Sequence, residues 1–337
     1  MSPQHANYCV QSTAKRIKKS PRWDDEGVAS TVGTIMSLLV FLTFMGMFTN
    51  QFLPVWMSDN ESNHMAQVIG QFTNLKSSID LSVSNYANSL VAPSPVFIPV
   101  MLSSEGIPVF AGPTAGILSL SPEMINMRPM FNVSYYYFSD LGGVKHYSTL
   151  DPSNDGGTGG SLELYCPNRY YVEERIVYEN GAIILNQTDG EVVIAGPQFS
   201  IKNIGSVTEP SRVIMMTQVS LQGKNMTVGG TGSKGLNADL EFAETTAFEN
   251  SDPGGTTLYL NITTKHGEAW AAYFERTLNG AANLTSGNGY TITVTKVPAA
   301  ILANSYYVVE IQIEHVTIFD HTHADVRLTV GELSRGG

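Results

Sequence analysis

Charge is scarce in this chain. Only 15% of its 337 residues are Asp, Glu, Lys or Arg, well below the usual quarter. No lysine or arginine occurs between Arg22 and Lys76, and the segment 27–57 carries no charge of either sign. Cysteine is scarcer still, at two residues, Cys9 and Cys166. So few thiols exclude a disulfide-stapled scaffold, and a buried structural role is expected for Cys166. The net charge of −11 leaves no clustered cations to meet phosphates, which excludes nucleic acid as a partner. No G-x-S-x-G, HExxH or plausible Cys/His pair occurs. "GGTGSKG" at 229–235 lacks the Gly-Lys-Ser/Thr step and following helix of a phosphate loop. The expectation is therefore a protein that is not an enzyme and holds no cofactor or metal.

What the chain does hold is apolar length. A spanning helix needs about 20 predominantly apolar residues, and 28–52 supplies them, with Ile35, Met36, Leu38, Leu39, Phe41 and Phe44 among them. A secretory signal has a shorter core and a small-x-small cleavage site, so the run reads as a membrane helix over 28–57. Lys15, Arg16, Lys18, Lys19 and Arg22 precede it. By the positive-inside rule, 1–27 is a cytoplasmic leader and the remainder lies outside. Phe52, Pro54 and Trp56 mark the outer interface, and Gly33 and Gly46 give small faces suited to helix packing in lipid.

Beyond Met57, Met65, Val68, Ile69, Phe72, Leu75 and Ile79 recur at helical spacing. One helix over 28–88 is expected, with an amphipathic part over 58–90, kinked rather than ended at Pro54. From residue 91 on, short runs rich in Val, Ile, Tyr and Thr alternate with Gly, Pro, Asn and Asp clusters. The expected class is α+β, mainly β: the long helix, then a head over 91–337 built as an antiparallel β-sandwich with one short helix. Strands are expected over 96–101, 107–111, 133–139, 161–165, 170–178, 182–185, 191–195, 212–221, 257–262 and 290–297. Two more are expected over 306–314 and 324–330. Asn180–Gly181 and Asp189–Gly190 are hairpin signals. "HGEAWAAYFERTLNG" places Trp270, Tyr273, Phe274 and Leu278 on one helix face.

Three patterns invite chemistry. Six N-x-S/T sequons, at Asn60, Asn132, Asn186, Asn225, Asn261 and Asn283, all follow the apolar run and are glycosylation candidates. "DPSNDGG" at 151–157 has the oxygen spacing of a calcium loop but lacks the acid at its twelfth place, and reads better as a glycine-rich loop. "EHVTIFDHTHADVR" gathers Glu314, His315, Asp320, His321, His323 and Asp325. In a strand, His321 and His323 share a face as a metal site requires, but the segment reads better as a polar turn between two strands.

The leader, the segment Gly27-Val28-Ala29-Ser30-Thr31-Val32-Gly33-Thr34, the two-part helix and the β-rich head together resemble archaeal type IV pilins and pilin-like surface proteins. "YENGAI" and the Trp-x-x-Tyr-Phe helix are similar to their head regions. Two positions depart from the pattern: Glu26 stands where the family carries Lys or Arg, and Val32 where bacterial pilins carry Glu. The resemblance implies cleavage by a prepilin-type peptidase between Gly27 and Val28. It further implies self-association, or packing with other pilin-like subunits, through the N-terminal helix, in a filament or cell-surface assembly with a structural or adhesive role. The alternative is a single-pass membrane protein that does not assemble and displays an extracellular β-sandwich binding module.

Overall fold

The fold is seen in a computed structural model, which describes residues 25–89, 93–121, 130–141, 144–150, 159–206, 208–250, 256–282, 284–297 and 306–332. The chain divides into two compact units, Met1–Leu53 and Pro54–Gly337.

The N-terminal helix consists of α1 (Asp25–Met47), a π-helical turn (Phe48–Phe52) and α2 (Leu53–Ser89). Pro54 does not end it. Proline offers no amide hydrogen to the carbonyl four residues back and its ring crowds that carbonyl. Here the turn before it widens, and the Leu53 N–H reaches the Phe48 carbonyl five residues away, a π-type insertion. The helix is long and apolar enough to cross a membrane from Ser30 onward. Along α1, Val32, Ile35, Met36, Leu39, Val40 and Phe44 are all exposed. Several polar side chains of α1 and of the π-helical turn bond within the helix. Thr34 donates to the Thr31 carbonyl at 2.8 Å, Thr49 to Met45 at 2.8 Å and Asn50 to Gly46 at 2.8 Å. Hydroxyls and amides satisfied in this way tolerate an apolar surrounding.

Among the described residues, sixteen strands and one further helix follow. In chain order the first eight are β1 (Val96–Met101), β2 (Gly116–Ser121), β3 (Met130–Leu141), β4 (Val144–Leu150), β5 (Ser161–Cys166), β6 (Glu174–Glu179), β7 (Ala182–Gln187) and β8 (Gly190–Ala195). Next come β9 (Phe199–Asn203), β10 (Arg212–Gly223), β11 (Met226–Gly230), β12 (Ser233–Glu249) and β13 (Thr256–Thr264). Helix α3 (Gly267–Ala282), β14 (Thr285–Ser286), β15 (Gly289–Val297) and β16 (Tyr306–Glu332) complete the chain. One sheet runs β11-β2-β5-β6-β7-β8, with every neighbour antiparallel. The other has ten strands around the path β1-β12-β16-β13-β3-β4, with β9, β10, β14 and β15 attached. The α+β, mainly β class holds. The sheets are not wholly antiparallel, because β10 lies parallel to β16 over its full length.

The 27-residue β16 organises the larger sheet. Its first half is flanked by β13 and β15, its second by β12 and β10. The partners change at a bulge where His315 takes φ 57°. The extra residue shifts the register and turns the strand. Val309, Ile311, Ile313, Val316 and Phe319 enter one core with Trp270, Phe274 and Leu278 of α3. Ala324, Val326 and Leu328 enter a second core with Met65, Val68, Phe72, Leu75, Ile79 and Val83 of α2. The amphipathic stripe read from the sequence is thus buried between sheet residues, except that Ile69 is only partly covered.

Four expectations are corrected. Residues 306–330 hold no polar turn, because β16 runs through them and the polar side chains find partners on β10 and β12. No strand occupies 107–111, where the chain closes as a tight turn on the Ile107 carbonyl. The strand expected over 170–178 begins only at Glu174, because the amides of 169–171 are drawn to a helix carboxylate. Finally, β2, β4, β9, β11, β12 and β14 were not anticipated, and the glycine-rich 229–235 segment carries the chain from β11 in the six-stranded sheet to β12 in the ten-stranded one. The glycine-rich loop expected at 151–157 falls outside the described residues.

Candidate functional site

The first turns of α2 gather a buried polar cluster. Glu61 is fully buried. Its carboxylate accepts from the Thr114 hydroxyl at 2.7 Å and from the backbone amides of Arg169, Tyr170 and Tyr171 at 2.8–3.1 Å. Successive N–H groups converging on one anion form a nest. Burial opposes ionisation of Glu61, yet the Thr114 hydroxyl and the three amides together hold its pKa below the ordinary carboxylate value. One turn on, His64 Nε2 donates to the Met101 carbonyl at 3.1 Å, while Gln71 Oε1 accepts from the Met101 amide at 2.9 Å. Side chains of α2 thus cap the peptide at the end of edge strand β1, as exposed edges require. The other ring nitrogen of His64 has no partner, and burial pushes the histidine pKa down. His64 lines an open cleft of about 470 Å³ with Asn60, Asn63, Gln67, Ser103 and Glu105.

A second polar group supports α3. Glu191 on β8 accepts from His266 Nδ1 at 2.8 Å, from the Ala269 amide at 3.1 Å and from Asn186 at 3.2 Å. The carboxylate satisfies an amide that the helix start leaves open and complements the helix dipole. Burial disfavours the charged forms of both residues. Pairing prevails, raising the pKa of His266 and lowering that of Glu191. Glu179, at the β6–β7 turn, accepts from Trp270 Nε1 at 2.9 Å, and its own burial raises its pKa. This turn is itself buried, which is unusual for a hairpin. Asn180 and Gly181 both take positive φ, 45° and 75°, as a type I′ turn demands. Asn180 Oδ1 accepts from the Val219 amide at 3.0 Å. The hairpin tip therefore satisfies the side of β10 that β9 no longer covers beyond Met216.

The residues singled out from the sequence are dispersed. Gly27 and Val28 lie in the backbone of α1, their side chains outside the described residues. Asn60 sits on α2, its amide donating to the Glu105 carbonyl at 3.2 Å. Asn186 is committed to Glu191, Asn225 is exposed between β10 and β11, and Asn261 is half-buried on β13 opposite Asn132 of β3. Asn283 falls outside the described residues. His321 and His323 do share a face of β16, but His321 Nε2 meets Gln218 Oε1 at 3.0 Å and His323 Nε2 meets Asp325 at 3.2 Å. Burial lowers the His321 pKa to about 4. Among the described residues, no three His, Cys, Asp or Glu side chains are placed to hold a metal ion. Cys166 is buried and its thiol is pushed up to about 12, far from the range of reactive thiolates. The Glu61 nest escaped sequence reading because its donors are backbone amides more than 100 residues away. The only local signal was an acid within an otherwise apolar-striped helix.

Comparison with protein-family models, with curated proteins and with solved structures finds no match for this chain.

Proposed function

We propose that the chain is a pilin-like, membrane-anchored surface protein that acts as a structural or adhesive subunit of a type IV pilus-like filament or cell-surface assembly, without enzymatic activity. The observation that carries this reading is the two-part helix. Its first part exposes Leu, Ile, Phe and Val on all sides, while its second buries a stripe in the β-rich unit. Each exposed Leu, Ile or Phe of α1 forgoes about 1.5–3 kcal/mol of burial, so the segment requires either lipid or other copies of the same helix as its surrounding. The basic leader sets the N-terminus in the cytoplasm and the β-rich head outside. Partners are the membrane, other subunits through the helix, and a prepilin-type peptidase acting between Gly27 and Val28. Sequon asparagines on the head carry glycans.

N-terminal sequencing together with intact-mass measurement of the membrane form tests this. A mature chain starting near Val28 is expected. A chain still beginning at Met1 or Ser2 would remove processing and leave a non-assembling single-pass protein with a β-sandwich binding module.

A further inference from the structure

Three segments are tied together where α2 begins. The Glu61 carboxylate holds 169–171 through their amides and holds Thr114 through its hydroxyl, while Asn60 holds the Glu105 carbonyl. Each tied loop presents exposed apolar side chains. The 105–111 loop closes tightly, with the amides of Phe110 and Ala111 both donating to the Ile107 carbonyl. At its tip Val109 is 99% exposed and takes φ 72°. A β-branched side chain is strongly disfavoured at that φ, and a strained residue aimed at solvent is a pointer to function. Phe110 beside it is exposed, as are Tyr170 and Val172 in the other loop. Trp56, one helical turn before Asn60 and on the same face, is exposed too. None of these five side chains contributes to either core.

We infer that Trp56, Val109, Phe110, Tyr170 and Val172 form an interfacial anchor that seats in the headgroup region of a zwitterionic bilayer. The inference rests on the membrane reading of 28–52 proposed above. Trp56 follows that run by four residues, so the chain enters this patch directly from the apolar segment. Trp and Tyr favour the membrane–water interface, where an apolar ring and a polar edge are both accommodated. Apolar tips rimmed by polar residues bury shallowly there. Among the described residues, the exposed charges on these segments are one cation, Arg169, against Asp59, Glu105 and Glu173. Attraction to anionic lipid is therefore not the driving force, because that requires clustered Lys and Arg.

The test uses the full chain with Cys9→Ser, since Cys166 is buried. Single cysteines at Val109, Tyr170, Leu39 or Asn225 are spin-labelled, and the protein is reconstituted in phosphatidylcholine vesicles. Collision of each label with oxygen, which partitions into lipid, is compared with collision with a water-soluble nickel chelate. At 109 and 170 the oxygen-to-chelate ratio is expected to be severalfold above that at 225 and below that at 39. Ratios at 109 and 170 equal to that at 225, with 39 in lipid, overturn the anchor but spare the membrane reading. Labels at 109 and 170 shielded from both reagents indicate a protein partner or second copy and also overturn it. A label at 39 in water removes the membrane reading and the anchor together.

Discussion

At the scale of the residue, Glu61 is the most consequential polar group. Replacing it with glutamine removes the charge and turns an N–H group toward amides that need an acceptor. Such hydrogen bonds to a buried charged group are worth about 1.5–3 kcal/mol each, so Glu61→Gln should lower unfolding stability by roughly 3 kcal/mol in denaturant titration. The pKa of Glu61 is lower folded than unfolded, so its contribution is present above the ordinary value of 4.5 and is lost as pH falls through the folded pKa. The gap between wild type and Glu61→Gln should therefore close below 4.5. The sequons are sorted by the same local accounting. Asn225 is exposed, whereas Asn60 and Asn186 have their amide nitrogens engaged by a carbonyl and a carboxylate. Glycopeptide mass spectrometry should find occupancy at Asn225 exceeding that at Asn186.

At the scale of the element, α3 is held by its apolar face and by its buried polar start. Trp270 stacks with Phe274, their ring centroids 6.0 Å apart, and donates to Glu179. Trp270→Ala should cost about 3–5 kcal/mol, measured as a shift of the denaturation midpoint, whereas an exposed change such as Glu268→Ala should cost little. The His266–Glu191 pair predicts a pH dependence of opposite sign to that of Glu61. His266 binds its proton more tightly in the folded chain. Its stabilising effect is therefore complete below 6.5 and fades as pH rises through the higher folded pKa. Stability of the wild type relative to His266→Asn should decline across that window. The periodicity of α3 was legible, because a helix face is set by residues three and four apart. By contrast, β16 was divided in two, because a run of polar residues in its middle imitates a turn. Those residues stay in the strand because Gln218 on the parallel β10 meets His321. Paired residues of β10 and β16 lie more than 100 apart in sequence.

At the scale of the whole molecule, the division at Leu53–Pro54 makes a prediction about truncation. A chain beginning near Pro54 keeps the α2 stripe and the Glu61 nest, and it should purify without detergent as a folded species by size exclusion and circular dichroism. A chain beginning at Pro93 lacks Phe72, Leu75 and Ile79, opens the second core and should aggregate. The two cores lie against opposite faces of the six-stranded sheet. Ile176, Tyr178 and Ile183 enter one, and Val177, Ala182 and Ile184 enter the other. Such a two-sided sheet cannot be inferred from alternation alone, because both parities of β6 and β7 are apolar.

The sequence by itself determined the apolar run, the amphipathic stripe of α2, the Asn180–Gly181 hairpin, the buried face of α3 and the mainly-β class, and it placed the β7–β8 turn one residue late, since Thr188 and Asp189 form it and Gly190 opens β8. All of these depend on neighbours within a few residues, where period, charge and turn chemistry act directly. Only the tertiary structure decided the length and bulge of β16, its parallel pairing with β10, the burial of the Asn180–Gly181 turn and the closing of two loops on Glu61. Each of these depends on backbone amides and carbonyls brought from distant parts of the chain. Every residue but proline carries the same backbone groups, so their pairing leaves little mark in the order of side chains.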